Sequence, residues 1–365
     1  MNKIAFFAPN LTGGGAERVV SILAAQFAEA GYQVDLILAE AIGPYLANLP
    51  SSVHVIDLQC KRVLFTLPRL IKYLYAEKPA VLFSSQMHSS TVALWAAILS
   101  GAKTRVYIRQ PTMLKPFYGK QSLISKLRQK IFLLSAKSAE KVIVTSKAMA
   151  DEFHALSNVA KDKIQVVYNP VPIDAIKGKS LEPIEHPWLK TSEPPVILAV
   201  GRLVEVKDFK TLIKAFSIVQ KKIPARLLIL GEGLLRNELE EQIELLGITE
   251  HVLMPGFVSN PYQYMRHAKV FVLSSLWEGF PNGMIEAMAC DARIVATECE
   301  GGTIEILGGG QWGELVPVGN EHAMAQAILK TLSSEFAPNA PERVEIFSID
   351  NIFKQYLKLF QIEKY

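Results

Sequence analysis

The arrangement of apolar runs limits what this chain can fold into more than any other feature. Short, continuously apolar segments alternate with segments of helical periodicity, first in one half and then again in the other. KIAFFA (3–8), QVDLILA (33–39), AVLFSS (80–85), RVYI (105–108) and KVIVT (141–145) read as strands without a solvated face. AERVVSILAAQFAEA (16–30) reads as a helix that stops at Gly31. The proline-punctuated IQVVYNPVPID (164–174) reads as a linker. PVILAVG (195–201), ARLLILG (225–231), HVLMPG (251–256), KVFVLSS (269–275) and RIVAT (293–297) then repeat the strand pattern, with helical stretches such as DFKTLIKAFSIVQKK (208–222) between them. This alternation predicts two α/β domains with parallel sheets and right-handed crossovers. Ligands are expected beyond the carboxyl ends of the strands, in a cleft between the domains. The 365 residues suffice for two such domains, placed at 1–168 and 169–348, with a C-terminal helix at 349–365 expected to pack back on the first.

Several classes of protein fall away. The three cysteines, Cys60, Cys290 and Cys299, are odd in number and form no C-x-x-C pair, which argues against a disulfide framework or a structural zinc and for a reducing cytosol. The N-terminal stretch has no signal-peptide pattern, and TVALWAAIL (91–99) is half the length a membrane span needs. Charge is uneven: residues 1–168 hold 20 Lys+Arg against 10 Asp+Glu, while residues 169–365 hold 19 against 25. The basic half is expected to meet an anionic partner, either nucleic acid or an acidic membrane surface.

Three segments could carry chemistry, each at a strand end. In SSLWEGFPNGMIEAM (274–288), glycine and proline separate a strand from a helix that starts near Asn282. Glu278 leaves the strand and Glu286 sits early in the helix, with amide N–H groups between them. A positive helix terminus and two hydroxyl-accepting carboxylates suit a ligand with both phosphates and sugars. Alternatively, Glu286 complements the helix dipole and Glu278 is a solvated loop residue. In GRLVEVKDF (201–209), Arg202 and Lys207 could neutralise a diphosphate or be ordinary surface charge. LTGGGAERV (11–19) lets backbone approach a ligand at a helix start, but Arg18 stands where the dinucleotide fingerprint has its third glycine, and no Gly-Lys-Ser/Thr makes it a P-loop.

Taken in order, GGGAER, VYNPV, VGRLVEVK, LGEGLLR, PGFV, EGFPNGMIE and EGGTIEIL resemble glycosyltransferase family 4, the retaining, nucleotide-sugar-dependent enzymes of the GT-B fold. The resemblance spans nearly the whole chain and is strongest in the E-x7-E element, EGFPNGMIE. It implies two Rossmann-like domains facing across a cleft. It also implies that Glu286 binds the ribose hydroxyls and Glu278 the hydroxyls of the transferred sugar. The backbone of Gly279, Phe280, Pro281 and Asn282 would face sugar and phosphates, and Arg202 and Lys207 would stabilise the leaving diphosphate. Gly14 and Gly15 would face the phosphates or the acceptor from the first domain. Phe257 and Val258 would lie at the base, Glu232 and Gly233 would line the same wall, and Thr303 and Glu305 would lie near the phosphates. Substitution would occur on the front face through an oxocarbenium-like transition state. The sequence has no D-x-D triplet, so no metal and no other cofactor are expected. The nucleotide is expected to be UDP, with GDP-mannose the alternative, and the sugar a hexose or N-acetylhexosamine. Many relatives carry a histidine after the strand RVYIRQ. Arg109 stands there in this chain, and His88 is the nearest substitute.

The acceptor side is marked by charge. Residues 103–147 contain eleven Lys+Arg and one acid, Glu140. SLISKLRQKIFLL (122–134) spaces Leu123, Leu127, Ile131 and Leu134 helically, with Lys126, Arg128 and Lys130 elsewhere, beside MLKPFYGK (113–120) with Lys115. A basic amphipathic helix suits an anionic membrane; the plainer reading is a core-facing helix with a solvated basic face. The expected protein is a peripheral enzyme on the cytoplasmic face of the inner membrane, extending a lipid-linked glycan for lipopolysaccharide-type or other surface polysaccharide. Two alternatives compete: a non-catalytic nucleotide-sugar binder of the same fold, and a nucleic-acid-binding protein, which would leave the paired glutamates unexplained.

Overall fold

A computed structural model of the chain describes residues 3–115, 122–189, 194–334 and 341–362. It divides into two compact units, Met1–Pro170 with Ile349–Tyr365, and Val171–Ser348. The first holds a parallel sheet of seven strands: β1 (Lys3–Ala8), β2 (Gln33–Leu38), β3 (Val53–Asp57), β4 (Val81–Ser85), β5 (Arg105–Gln110), β6 (Lys141–Val144) and β7 (Ile164–Val166), in the order β3-β2-β1-β4-β5-β6-β7. The second holds a parallel sheet of six: β8 (Val196–Val200), β9 (Arg226–Leu230), β10 (Val252–Gly256), β11 (Val270–Leu273), β12 (Ile294–Thr297) and β13 (Glu314–Val316), in the order β10-β9-β8-β11-β12-β13. Three strands escape the sequence reading. β3 and β13 are short and partly exposed, and β7 occupies the start of the segment read as a linker.

β1 shows why continuous apolar runs become central parallel strands. Ile4, Phe6 and Ala8 face one way, onto Val19, Val20, Leu23 and Phe27 of the Gly15–Glu29 helix. Ala5 and Phe7 face the other way, among Leu82, Val92 and Phe132. Both faces of the sheet are covered, so a polar residue at any of these positions would be buried without solvent. The Ile349–Phe360 helix closes the first face. Phe360 stacks on Phe27 at 5.3 Å and meets Tyr107 at 4.8 Å, while Phe353 meets Phe27 edge-on at 4.8 Å. Burying one such ring contributes roughly 1.5–3 kcal/mol. In the second unit, Ile197 and Ala199 of β8 pack with Leu212, Ile213 and Phe216 of the Phe209–Gln220 helix and with Met324 and Ile328 of the Glu321–Ser333 helix.

Candidate active site

The second sheet reverses its strand order between β8 and β11, and a doubly wound sheet opens a ligand crevice at such a reversal. The chain leaving β8 carries GRLVEVK, and the chain leaving β11 carries SSLWEGFPNG. Two hydrogen bonds tie these segments: Leu276 N–H donates to Val206 O at 2.8 Å and Ser274 Oγ to Lys207 O at 2.6 Å. Lys207 is thereby set against Glu278, with Nζ 2.5 Å from Oε1, and Ser275 Oγ donates to the same oxygen at 2.7 Å. The side chains are 22% and 15% exposed, so each is the main neutraliser of the other's half-buried charge. Oε2 of Glu278 has no hydrogen-bond partner among the described residues. Arg202, on the same segment as Lys207, is exposed, and its side chain makes no hydrogen bond or ion pair among the described residues.

The helix after this turn runs Asn282–Ala289, capped by Pro281, so Asn282 is its first residue and not its cap. Asn282 N–H is taken by Phe280 O and Met284 N–H by Pro281 O, whereas the N–H groups of Gly279 and Gly283 have no partner among the described residues. Open amides at a helix start attract anions. Glu286 stands partly buried on the next turn of that helix.

A second loop, EGGT (300–303), props the turn from behind. Glu278 N–H donates to Glu300 O at 3.2 Å and Gly302 N–H to Gly279 O at 3.1 Å. A Cβ on Gly301 would lie 1.6 Å from Glu278 O, which is why glycine stands there. Phe280 and Pro281 are buried, and the Phe280 ring meets Phe347 at 5.8 Å, so these two residues offer main chain to a ligand. Thr303 requires a correction. Its side chain is fully buried with its hydroxyl 3.2 Å from Cys299 Sγ, which leaves only main chain for a phosphate. Glu305 is partly exposed, and its carbonyl accepts from Arg343.

The wall beyond β9 and β10 is packed glycine against backbone. Gly231, at φ +139°, has room for no Cβ, which would sit 1.9 Å from Gly201 O; one on Gly233 would sit 2.3 Å from Leu203 O. Glu232 is held by Arg236 at 2.5 Å, and that hydrogen bond keeps its carboxyl below the usual range. Glu232 lies in the loop before the Arg236–Leu245 helix, so no helical spacing in the sequence pairs it with Arg236. Phe257, just past β10, is 82% exposed, with Val258 partly exposed beside it.

In the first sheet the order reverses between β1 and β4. Gly14 caps the Gly15–Glu29 helix, and both glycines are exposed. Glu17 curls back over Gly14, where a Cβ would come within 2.1 Å of its Oε2, and Gln86 Nε2 donates to Glu17 Oε1 at 2.8 Å. Gln86 adopts φ +77°, an uncommon conformation for a residue with a side chain, at the start of the Met87–Ser100 helix. Nothing in the sequence pairs two residues so far apart.

Arg109, expected on the acceptor or membrane side, lies inside the first unit with 1% exposure. β5 is covered on both faces, and the guanidinium hydrogen-bonds Asn169 and, at 3.4 Å, Ser85. Burial lowers its pKa, and the same burial raises the neighbouring Tyr356 hydroxyl to about 12. Arg109 therefore reaches no membrane. His88 is exposed on the Met87–Ser100 helix; the surrounding walls and then Arg128 hold its imidazole below the usual range. Lys115, Lys126, Arg128 and Lys130 are exposed. The Leu123–Ser135 helix turns Leu133 onto the core beside Phe132 but not its other leucines. Phe132 is its buried residue, while Leu123 is 84% exposed and Ile124, Leu127 and Leu134 are exposed as well. Residues 116–120 of MLKPFYGK lie outside the described residues, as do 363–365 at the chain end. Among the described residues no helix is long and apolar enough to cross a membrane, and no three His, Cys, Asp or Glu gather as metal ligands.

Comparison with known proteins gives the same picture at chain level. Residues 13–175 match the family model described as Glycosyltransferase Family 4, and residues 182–346 match the one described as Glycosyl transferases group 1. The chain is 29% identical, over 98% of its length and 99% of the other's, to N-acetylgalactosamine-N,N'-diacetylbacillosaminyl-diphospho-undecaprenol 4-alpha-N-acetylgalactosaminyltransferase of Campylobacter jejuni. It is 27% identical to the capsular polysaccharide biosynthesis glycosyltransferase CapM of Staphylococcus aureus, over 86% of this chain and 85% of CapM. Among solved structures, Anabaena HepE in complex with UDP superposes with a TM-score of 0.82 at 20% identity, covering 98% of this chain and 99% of HepE. Sucrose-phosphate synthase of Thermosynechococcus elongatus follows at 0.78 and 20%, covering 99% and 98%. The two parallel-sheet units are those of the GT-B architecture.

Proposed function

Since this chain belongs to glycosyltransferase family 4, we propose that it moves a hexose or N-acetylhexosamine from a UDP-linked donor, with retention, to a lipid-linked glycan in surface-polysaccharide biosynthesis. The observation that carries this reading is the Lys207–Glu278 pair at the strand reversal, flanked by the open amides of Gly279 and Gly283 and by Glu286. Glu278 keeps one oxygen for a sugar hydroxyl, and Glu286 accepts from the ribose. Phe257 and Val258 lie at the base. Arg202 and Lys207 neutralise the diphosphate as the bond from sugar C1 to its oxygen breaks. The acceptor oxygen bonds to C1 on the same face, and its proton passes to the departing phosphate oxygen. Charge stabilisation of this kind contributes on the order of 10²–10³ in rate per donor group. Two side-chain cations at the leaving group make a metal ion unnecessary in this scheme.

The choice of UDP draws support from the UDP complex of Anabaena HepE, and the lipid-linked acceptor from the diphospho-undecaprenol substrate in the name of the Campylobacter enzyme. The exposed leucines of the Leu123–Ser135 helix, beside Lys126, Arg128 and Lys130, support docking on an anionic cytoplasmic leaflet. The test is transfer from UDP-sugars to polyprenyl-diphosphate-linked glycans, with the product anomer read by NMR. The expected product keeps the donor's α configuration and forms equally in EDTA. An inverted product, or activity abolished by EDTA and restored by magnesium, contradicts the proposal. One observation favours a second reading, a binder without turnover: Arg109, at the place where the family resemblance implies a histidine, is buried. Nucleotide-sugar binding with no transfer to any acceptor would select it.

A further inference from the structure

Resting on the lipid-linked acceptor proposed above, we infer that a groove on the first unit holds the acceptor's diphosphate and its first prenyl units. The groove has a volume of about 480 Å³, within the roughly 300–1,000 Å³ of small-molecule sites. One wall is the segment after β3, with Arg62, Leu64 and Phe65; the others are the Met87–Ser100 helix, with His88 and Trp95, and the Leu123–Ser135 helix, with Arg128. Among the described residues no acidic side chain lines it. The side chains of Arg62 and Arg128 are exposed and have no hydrogen bond or ion pair among the described residues, and Leu64 and Phe65 are exposed beside them.

This combination selects an amphiphile. A free phosphate would use the arginines and leave the apolar walls wet, and a neutral hydrocarbon would do the reverse. A diphosphate head on a branched hydrocarbon chain satisfies both, because the planar guanidinium forks match phosphate oxygens in pairs. Position points the same way. Arg62 and His88 follow the carboxyl ends of β3 and β4, the side on which doubly wound sheets take their ligands. From there His88 and Trp95, two turns apart on one helix, give the chain a track away from the rim. The imidazole of His88, whose pKa burial and then Arg128 hold below the ordinary range, offers an N–H to the head group.

The experiment is calorimetric titration of the full chain with geranylgeranyl diphosphate, compared with inorganic pyrophosphate and with geranylgeraniol. The expected result is binding of the diphosphate lipid well above either fragment. It should weaken about tenfold or more in R62A/R128A, as expected for lost charged hydrogen bonds, and partly recover in R62K/R128K. Phe65→Ser should weaken the lipid and leave pyrophosphate unaffected. Equal affinity in wild type and R62A/R128A overturns the inference. So does competition by pyrophosphate as strong as the lipid's own binding. A third overturning result is a double variant that loses only phosphatidylglycerol vesicles, which would make the groove a phospholipid surface. Both side chains are exposed and hold no hydrogen bond or ion pair among the described residues, so the variants are expected to fold. A UDP-induced melting shift in the same samples separates the outcomes: a lost shift indicts the donor reading, while a kept shift without lipid binding indicts the groove alone.

Discussion

The two units share a plan and differ in how their rims are built. Each places its strand reversal beside the strand that starts the unit, and each bridges that reversal with a side-chain hydrogen bond: Lys207 to Glu278 in the second, Gln86 to Glu17 in the first. In the second unit, a Cβ on Gly201, Gly231, Gly233, Gly301 or Gly302 would meet its neighbours at 3.3 Å or closer, most of them backbone. In the first, Gly43 is packed as tightly, with a Cβ 2.0 Å from Leu11 O, and a Cβ on Gly14 would meet only the flexible Glu17 carboxylate, while Gly13 and Gly15 have nothing within 4 Å of a Cβ. One rim is fixed before any ligand arrives, as a site must be to stabilise a leaving diphosphate without reorganising. The other is open at Gly13 and Gly15, and beside it lie a groove and the exposed leucines of the Leu123–Ser135 helix. Under the function proposed above, the difference separates a site for one invariant chemical group from a surface for a varied acceptor.

The comparison breaks first at the chain end, because only the first unit depends on a distant segment. Phe360→Ala removes a ring packed on Phe27, Tyr107 and Tyr356 and should cost about 3–5 kcal/mol. Hydrogen exchange should then quicken in β1 and β4 and stay unchanged in β8 and β11. Next comes charge. Lys207→Ala should lower kcat by about 10²–10³, the loss expected of a group that stabilises a transition-state anion. Gln86→Ala, its positional counterpart, should lower kcat less than about tenfold, since it removes one neutral donor. Steady-state kinetics on both variants checks the contrast.

Glycine variants sharpen the same comparison at smaller amplitude. Gly231→Ala forces a Cβ against Gly201 O at positive φ and should destabilise by about 1–3 kcal/mol, whereas Gly15→Ala should stay within about 0.5 kcal/mol. Urea unfolding monitors both. The smallest effect concerns pH. The folded state holds the His88 pKa below the ordinary 6.5, so its stability contribution is present above that value and is lost as pH falls through the folded pKa. His88→Gln should therefore flatten the decline in Tm on acidification below pH 6.5, leaving Tm at pH 8 unchanged.

The central strands were legible because residues such as Ile4 through Ala8 are buried on both faces, which only an unbroken apolar run allows. β3, β7 and β13 were not, since half-exposed or three-residue strands leave no such run. The second unit's loops were legible as motifs, because close backbone approach demands glycine and the demand shows in the sequence. What joins the loops was invisible: Lys207 and Glu278 meet through tertiary hydrogen bonds at Ser274 and Leu276 that no local pattern encodes. Arg109 shows the converse failure. A cation after a strand reads as a surface group, but β5 is central, and Asn169 and Ser85 take the two terminal nitrogens of a buried guanidinium, leaving its Nε without a partner among the described residues. The apolar positions of the Leu123–Ser135 helix were legible as a stripe, while its side was not, because Phe132 and Leu133, and not the spaced leucines, supply the core contact.

The most direct test of the donor site is the melting temperature of the purified chain with UDP, GDP and ADP and their sugar conjugates. A ligand that binds the folded state raises Tm by mass action, about 2.7 kcal/mol of stabilisation at a hundred times its Kd. The account predicts a rise with UDP and UDP-sugars that persists in EDTA and is lost in Glu286→Ala. No rise with any of these nucleotides at millimolar concentration, or an undiminished rise in Glu286→Ala, would contradict it.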